Sequence, residues 1–472
     1  MEWILITPEV YYFCVAAVFL ALSMTSRTQA RQNYWVALVS SAMGVVITVA
    51  AVKTEGTFID GVYQVDLFSQ VFKAMLSLGL FLVVCLCTEL ESVDPRRHSD
   101  FYLLLMLCTL AMMVLVSSIE LVTLYVALEL TSYCLYILVA VRRGHAASDE
   151  AGLKYFLIGA VTSAIMLFGM ALLFGAVGST SFREISRVLP GAINTPMVFI
   201  GLLMTVSGFF LKLALFPFHV WAPSVYQGAP NQITAYIATA SKVTAIALII
   251  RIISLSGGES TTLVQILIFL AITSMTLGNL VAIVQKDIKR LLAYSAVAHA
   301  GYVLVGILSM NESGYAGAIF YASAYLVMSF ICFLVIIKVA QDGNNIQIAQ
   351  LAGLHGRAPL LSVALMVGVF SLGGLPPTIG FTGKFLVFTA AMQKGYFYLV
   401  VISMINVVIS LYYYALIVKA AYLTEPEEAL PPVQLTVPAK LLTLAMIVLT
   451  VAGGIFPGKL YTLAEAAARA LI

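Results

Sequence analysis

Charge is what this 472-residue chain lacks most: Asp, Glu, Lys and Arg make up 10% of it, against about 25% in a soluble globular domain. A surface so poor in charge excludes a water-soluble fold of this size. Metal and redox chemistry have no footing either. The six cysteines, Cys14, Cys85, Cys87, Cys108, Cys134 and Cys332, all fall in apolar segments, and their spacing matches no zinc, haem or iron–sulfur pattern. Cys85 and Cys87 are two apart and so point in different directions on a helix. All six read as small buried hydrophobes. There is no phosphate-cradling glycine loop, no dinucleotide fingerprint and no basic tract for nucleic acid. No cofactor, metal or nucleic acid is therefore expected on this chain. A secretory signal is missing as well. Glu2 and Glu9 rather than basic residues flank the first apolar run, which is expected to remain as a helix.

What is abundant is hydrocarbon. Hydrophobic residues make up 61% of the chain and mean hydropathy is +1.02. Apolar runs long enough to span a bilayer recur from end to end, about fourteen in all. The expected fold is all-α, a polytopic membrane protein of about fourteen transmembrane helices joined by short connections. Placing the N-terminus outside puts Arg27, Arg31, Arg96, Arg97, Arg142 and Arg143 on the inner side, with Lys286, Lys289, Arg290 and Lys338. Fewer basic residues remain outside, among them Lys53, Arg183, Arg187 and Arg251. That asymmetry favours both termini on the outer, non-cytoplasmic side. The stretch with Glu425, Glu427, Glu428, Pro426, Pro431 and Pro432 reads as a solvated inner loop before the last span.

Against this background Lys212, Lys242, Lys384 and Glu129 lie deep inside apolar segments. A charge at the bilayer centre costs at least about 2.5–3.5 kcal/mol, so such residues usually mark an ion or proton path. Two segments are also interrupted. Residues 208–223, Gly-Phe-Phe-Leu-Lys-Leu-Ala-Leu-Phe-Pro-Phe-His-Val-Trp-Ala-Pro, place Pro217 mid-span. Residues 371–385 carry Pro376 and Pro377 among Gly373, Gly374 and Gly380. Neither can stay regular helix. Each break alone fits a purely structural kink equally well. Together they say more, because they fall on the seventh and twelfth spans and so cross in opposite directions. Interrupted helices at matching places of two antiparallel halves mark inverted repeats. The expected organisation is a three-helix segment over 1–98, a first five-helix repeat over 99–256, a second, inverted one over 257–423, and a linker with a C-terminal helix over 424–472.

At this point the residues resemble a known family. Phe209 to Pro223 is similar to the seventh helix of the antiporter-like membrane subunits of respiratory complex I and of Mrp-type cation/proton antiporters. Gln285-Lys-Asp-Ile-Lys-Arg-Leu-Leu-Ala-Tyr-Ser295, running on to His299-Ala-Gly301, resembles the family's connection between helices nine and ten. Gly374-Leu-Pro-Pro-Thr-Ile-Gly-Phe-Thr-Gly-Lys-Phe385 resembles the chain N branch, the NADH-quinone oxidoreductase type. The resemblance runs from about Asp100 to Tyr422. It implies a proton-pumping subunit without redox chemistry of its own, in a complex that binds NADH, FMN, iron–sulfur clusters and quinone elsewhere. It implies a place in the bacterial inner membrane beside other complex I membrane subunits, including neighbouring antiporter-like ones. It also implies roles. A fifth-helix glutamate pairs with a seventh-helix lysine, a helix-eight lysine relays onward, and a charged residue on helix twelve opens to the far side. These fall on Glu129, Lys212, Lys242 and Lys384. A subunit of an Mrp-type Na⁺/H⁺ antiporter, or of a ferredoxin- or deazaflavin-linked pump, is the alternative. A mere scaffold would leave three buried lysines unexplained.

Desolvation penalises the charged form of a buried lysine, and a nearby carboxylate favours it. Glu129 close to Lys212 is therefore expected as a breakable ion pair, with a permanent clamp as the alternative. His219 reads either as a proton relay or as a hydrogen-bond partner of the broken backbone. His299 is a second relay candidate. Lys154 lies on the path by resemblance, or snorkels to the membrane edge. Lys73 reads as a snorkelling residue and Glu120 as a solvated end charge. Tyr412, Tyr413 and Tyr414 cannot all share one helix face, and read as packing and interfacial anchors.

Overall fold

In a bilayer each backbone N–H must find its partner within its own segment, so long apolar runs become helices. The computed structural model describes residues 2–25, 30–88, 90, 93–142, 144–257, 260–340, 343–426, 430 and 432–471. Arg27, Arg143, Glu427, Glu428 and Pro431 lie outside the described residues. The chain runs through α1 (Thr7–Ser23), α2 (Ala30–Ala50), a hairpin of β1 (Gly56–Ile59) and β2 (Tyr63–Val65), α3 (Leu67–Cys85), α4 (His98–Ser117), α5 (Leu121–Val139) and α6 (Ala146–Val177). It continues through α7 (Phe182–Ala192), α8 (Pro196–Leu213), α9 (Trp221–Gly228), α10 (Asn231–Tyr236), a π-helical turn (Ile237–Ser241), α11 (Lys242–Ser254), α12 (Thr261–Ile283) and α13 (Ile288–Ile307). The remainder is α14 (Glu312–Val339), α15 (Leu354–Arg357), α16 (Pro359–Gly373), α17 (Ile379–Gln393), α18 (Phe397–Leu423), α19 (Val437–Ile455) and α20 (Gly458–Arg469).

Among the described residues twelve helices are long and apolar enough to cross a membrane, and the shorter apolar α1 and α16 bring the number of apolar segments to the expected fourteen. The fold is a helical polytopic membrane protein. The additions are small. The hairpin pairs Gly56 with Val65 and Thr57 with Gln64, and turns at Asp60-Gly61, where Gly61 takes φ +74°. Asp-Gly suits a hairpin turn because glycine enters positive φ without a Cβ clash. The short helices α7 and α20 were not legible as separate elements.

The described chain forms two compact units. The first holds Met1–Leu213, Gly228–Val264 and Ala466–Ile472; the second holds Ala214–Gln227 and Gln265–Glu465. The border therefore falls at the first helix break, with α8 in one unit and most of α9 in the other. Within the first unit α6 and α8 pack along a glycine seam. A Cβ on Gly169 would lie 2.5 Å from the Thr205 backbone nitrogen and 2.7 Å from the Gly201 carbonyl oxygen. Small residues let backbones approach closely where lipid offers no hydrophobic drive. Within the second unit α14 packs against both halves of the second broken helix, α16 and α17.

Several charges lie elsewhere than the apolar pattern suggests. Lys73 does not snorkel: it is fully buried, and its Nζ pairs with Glu9 Oε1 at 2.6 Å. Arg251, counted toward the outer side, is buried on α11 and paired with Asp66 at 2.9 Å. Lys289, expected in an inner loop, is buried in the first turns of α13. Glu120 is the N-cap of α5, accepting from the Thr123 backbone N–H at 2.7 Å, a job that suits a carboxylate at a helix N-terminus. For Lys73 and Arg251 the cause is a partner on another element, remote in sequence, whereas Glu120 is satisfied by its own helix.

Candidate functional site

The last turn of a helix leaves carbonyl oxygens without partners. A helix that stops inside a membrane must therefore find donors elsewhere. In the first unit α8 stops at Leu213, where Ala214 takes the left-handed φ of +61°. The donor is Lys242, whose Nζ gives a 2.6 Å hydrogen bond to the Leu213 carbonyl. Lys242 is 1% exposed and opens α11 directly after the π turn. Such turns are rare and gather at functional sites.

The second unit repeats the device. α16 stops at Gly373, and Gly374 turns the chain at φ +80°. Lys384 Nζ donates to the Leu372 and Gly373 carbonyls at 2.8 and 3.0 Å. It also lies 4.8 Å from the centroid of the Tyr302 ring, a favourable face for a cation. A Cβ on residue 374 would come within 2.8 Å of Lys384 Cδ, so Gly374 serves both the turn and the approach of the lysine. Ser371 Oγ accepts from the Gly380 N–H at 3.1 Å and ties the two halves of the break together. Pro376 and Pro377 lie between those halves, as Pro217 lies between α8 and α9.

The two breaks thus match through Lys242 and Lys384, whereas Lys212 lies on α8 ahead of its break. Both ammonium groups sit at the carbonyl end of a half-helix. That end carries partial negative charge, so it can hold a lysine proton without a carboxylate.

Lys212 is different. It is 5% exposed, and its Nζ has no hydrogen-bond partner among the described residues. The Tyr155 ring centroid lies 6.0 Å away. The direct Glu129–Lys212 pair expected from the sequence is absent: no ion pair within 4 Å joins them among the described residues. The physical reason is α6. Glu129, half-buried, accepts a hydrogen bond from Ser163 Oγ of α6, while Lys212 lies by Tyr155 of the same helix. Those two positions are eight residues, about 12 Å, apart along the axis. Lys154, also on α6, pairs with Glu150 at 2.5 Å on an exposed face.

In the second unit His299 is 2% exposed and is held on both ring nitrogens. Nδ1 meets the Tyr321 hydroxyl at 2.7 Å, and Nε2 meets the Tyr414 hydroxyl at 3.3 Å. Tyr414 continues to Ser295 Oγ at 2.6 Å. Tyr413 donates to Asn279 Oδ1 at 3.0 Å, and Asn279 Nδ2 donates to the Tyr302 hydroxyl at 3.1 Å. Tyr413 and Tyr414 are therefore interior hydrogen-bonding groups and not interfacial anchors; Tyr412 alone is exposed. Imidazole and hydroxyl groups can each give and accept a proton, so the run Ser295–Tyr414–His299–Tyr321 can conduct one. Adjacent tyrosines 100° apart on a helix can share one broad buried face, which the sequence reading overlooked. His219 lies half-buried just after Pro217, its ring stacked on Phe216 at 5.8 Å and beside the Pro217 backbone.

The family model described as NADH:quinone oxidoreductase/Mrp antiporter, TM, matches residues 117–410, a stretch containing Glu129, Lys212, Lys242, His299 and Lys384. The chain belongs to this family. Its antiporter-like relatives include NADH-quinone oxidoreductase subunit N 2 of Syntrophobacter fumaroxidans, 55% identical over 472 residues and 100% of both chains. The subunit N 2 of Opitutus terrae is 41% identical over 423 residues, 89% of this chain and 88% of that one. A chain in respiratory complex I from Thermus thermophilus with bound Aureothin superposes with a TM-score of 0.85 at 32% identity, over 97% of this chain and 99% of that one. A chain of the Mrp complex from Dietzia sp. has a TM-score of 0.88 over 100% and 97% of the two chains, at 20% identity, and shares the fold. These antiporter-like relatives at 30% identity or more are thus of the complex I type.

Proposed function

We propose that the chain is the proton-translocating, non-redox membrane subunit of a NADH-quinone oxidoreductase, driven by electron transfer in other subunits. The observation that carries this is the pair of interrupted helices, each with a buried lysine on its carbonyl end. A buried ammonium held without a carboxylate partner is poised to lose its proton when that hold weakens. In this reading Glu129 is the switch. Near Lys212 it keeps the lysine charged; withdrawn to Ser163, it frees the proton to pass toward Lys242. Lys384 and the His299 chain serve the far half, with Lys154 and His219 as secondary relays. The five-helix stretches 99–256 and 257–423 are the corresponding repeats. NADH, FMN, iron–sulfur clusters and quinone belong to other subunits of the assembly, and neighbouring membrane subunits flank this one.

The test is to purify the native assembly. It is expected to contain iron–sulfur clusters and to reduce quinone. A cluster-free assembly that exchanges Na⁺ for H⁺ would instead establish the antiporter reading. We further place the chain in the bacterial inner membrane with both termini on the non-cytoplasmic side, on the strength of the basic-residue asymmetry. A thiol added at the N-terminus should react with an impermeant reagent from outside in intact cells; reaction only from the cytoplasmic side would reverse the topology.

A further inference from the structure

The first unit buries a second set of charges that the proposed path leaves unused. Glu9 of α1, Asp66 and Lys73 at the start of α3, and Arg251 of α11 are each 7% exposed or less. They form two ties. Lys73 Nζ pairs with Glu9 Oε1 at 2.6 Å, and the Tyr63 hydroxyl donates to the same oxygen at 2.7 Å. Arg251 Nη2 donates to Asp66 Oδ2 at 2.9 Å and Oδ1 at 3.1 Å. Asp66 is at the same time the N-cap of α3, accepting from the Ser69 N–H at 2.7 Å.

Buried ion pairs are poor stabilisers compared with apolar residues of the same shape, and where they persist, fixing one geometry is a recognised role. The geometry in question is the rotation of α11. Arg251 and Lys242 share one uninterrupted α-helical segment, Lys242–Ser254. Nine residues at about 100° each leave their side chains about 180° apart around the axis and about 13.5 Å apart along it. Anchoring Arg251 on α3 therefore aims Lys242 at the opposite side, where the Leu213 carbonyl of α8 receives it. On the other flank of Lys242 the helix is π-helical over Ile237–Ser241. A one-residue change of register there would turn the following segment by about 100°. That flank is therefore compliant, and the aim of Lys242 depends on Arg251.

We propose that Asp66 and Arg251 are positioning residues for Lys242: their pair fixes the rotation of α11 that keeps Nζ on Leu213, while Glu9 and Lys73 hold α3 to α1 behind it. This rests on the proposed role of Lys242 in proton transfer.

The experiment measures protons moved per quinone reduced, and its pH profile, in vesicles holding the assembled complex. Asp66→Asn keeps a competent N-cap and removes the charge opposite Arg251. Arg251→Lys keeps the charge but replaces the planar guanidinium, whose Nη2 alone reaches both Asp66 oxygens, with a compact ammonium on a shorter side chain. Asp66→Asn is expected to lose at least half of the proton yield that Lys242→Ala loses, and to displace the pH profile. Arg251→Lys should show the same displacement with a smaller loss. On a Lys242→Ala background, Asp66→Asn should add no further loss, which a merely structural role would not predict. A native yield and pH profile in Asp66→Asn would overturn the inference, and so would a loss that adds in full to that of Lys242→Ala. Should Asp66→Asn fail to assemble, the pH profile of Arg251→Lys decides: displaced supports it, native overturns it. Native pumping in Lys242→Ala would remove the proposed proton path as well, whereas failure of the Asp66 and Arg251 variants alone leaves that path standing.

Discussion

Lys242→Arg is expected to abolish most proton pumping although it keeps the positive charge. An arginine stays protonated under nearly all conditions, so it can sit on the Leu213 carbonyl but cannot release a proton. Loss of a positioned proton-transfer group typically slows the step by about 100-fold or more, and that is the expected effect on the flux through this chain. Lys242 is 1% exposed, so the larger guanidinium adds an overpacking cost of about 1–3 kcal/mol. The complex should therefore be checked for assembly before its pumping is compared with that of Lys242→Ala. Normal pumping by an assembled Lys242→Arg complex would make Lys242 a fixed electrostatic element and not a proton carrier.

The second large effect concerns Glu129 and Lys212. Lys212→Ala and Glu129→Gln should each reduce pumping by about tenfold or more while assembly and thermal stability stay near native. The open geometry supplies the second half of that expectation. Breaking a permanent buried clamp costs about 3–5 kcal/mol because one charge is left uncompensated. Here Lys212 Nζ already lacks a hydrogen-bond partner among the described residues, and the side-chain amide introduced by Glu129→Gln could still meet Ser163. A pair of variants that pump normally but melt well below the native complex would make the two residues a clamp and sink the switch.

How far the sequence could be read follows from the range of each interaction. Hydrophobic run length reports on a residue's own segment, so the spans and both proline breaks were legible. So was the oddity of Lys212, Lys242 and Lys384, because burial of a charge is evident from the segment around it. Partners were not legible. Asp66 and Arg251 are 185 residues apart in sequence, and nothing local to either announces the other. The match of Lys242 with Lys384 was hidden for the same reason. Lys242 follows a π turn on a later helix than its break, whereas Lys384 lies on the second half of its own broken helix. Only the shared target, a half-helix carbonyl end, shows them to be alike. Tyr413 and Tyr414 were misread because a rule about three consecutive residues says that one must face away, not which one.

The lysine at each break has a further consequence. An amine that has given up its proton still has two N–H groups to offer. The Leu213 carbonyl, and the Leu372 and Gly373 carbonyls alike, can thus remain occupied in the uncharged state; what falls is the strength of a charge-assisted contact, roughly by half. The interrupted backbone is then never stripped of its donor during turnover. It works as a joint that slackens and tightens while staying closed, and repeated cycling leaves the architecture around it unaltered.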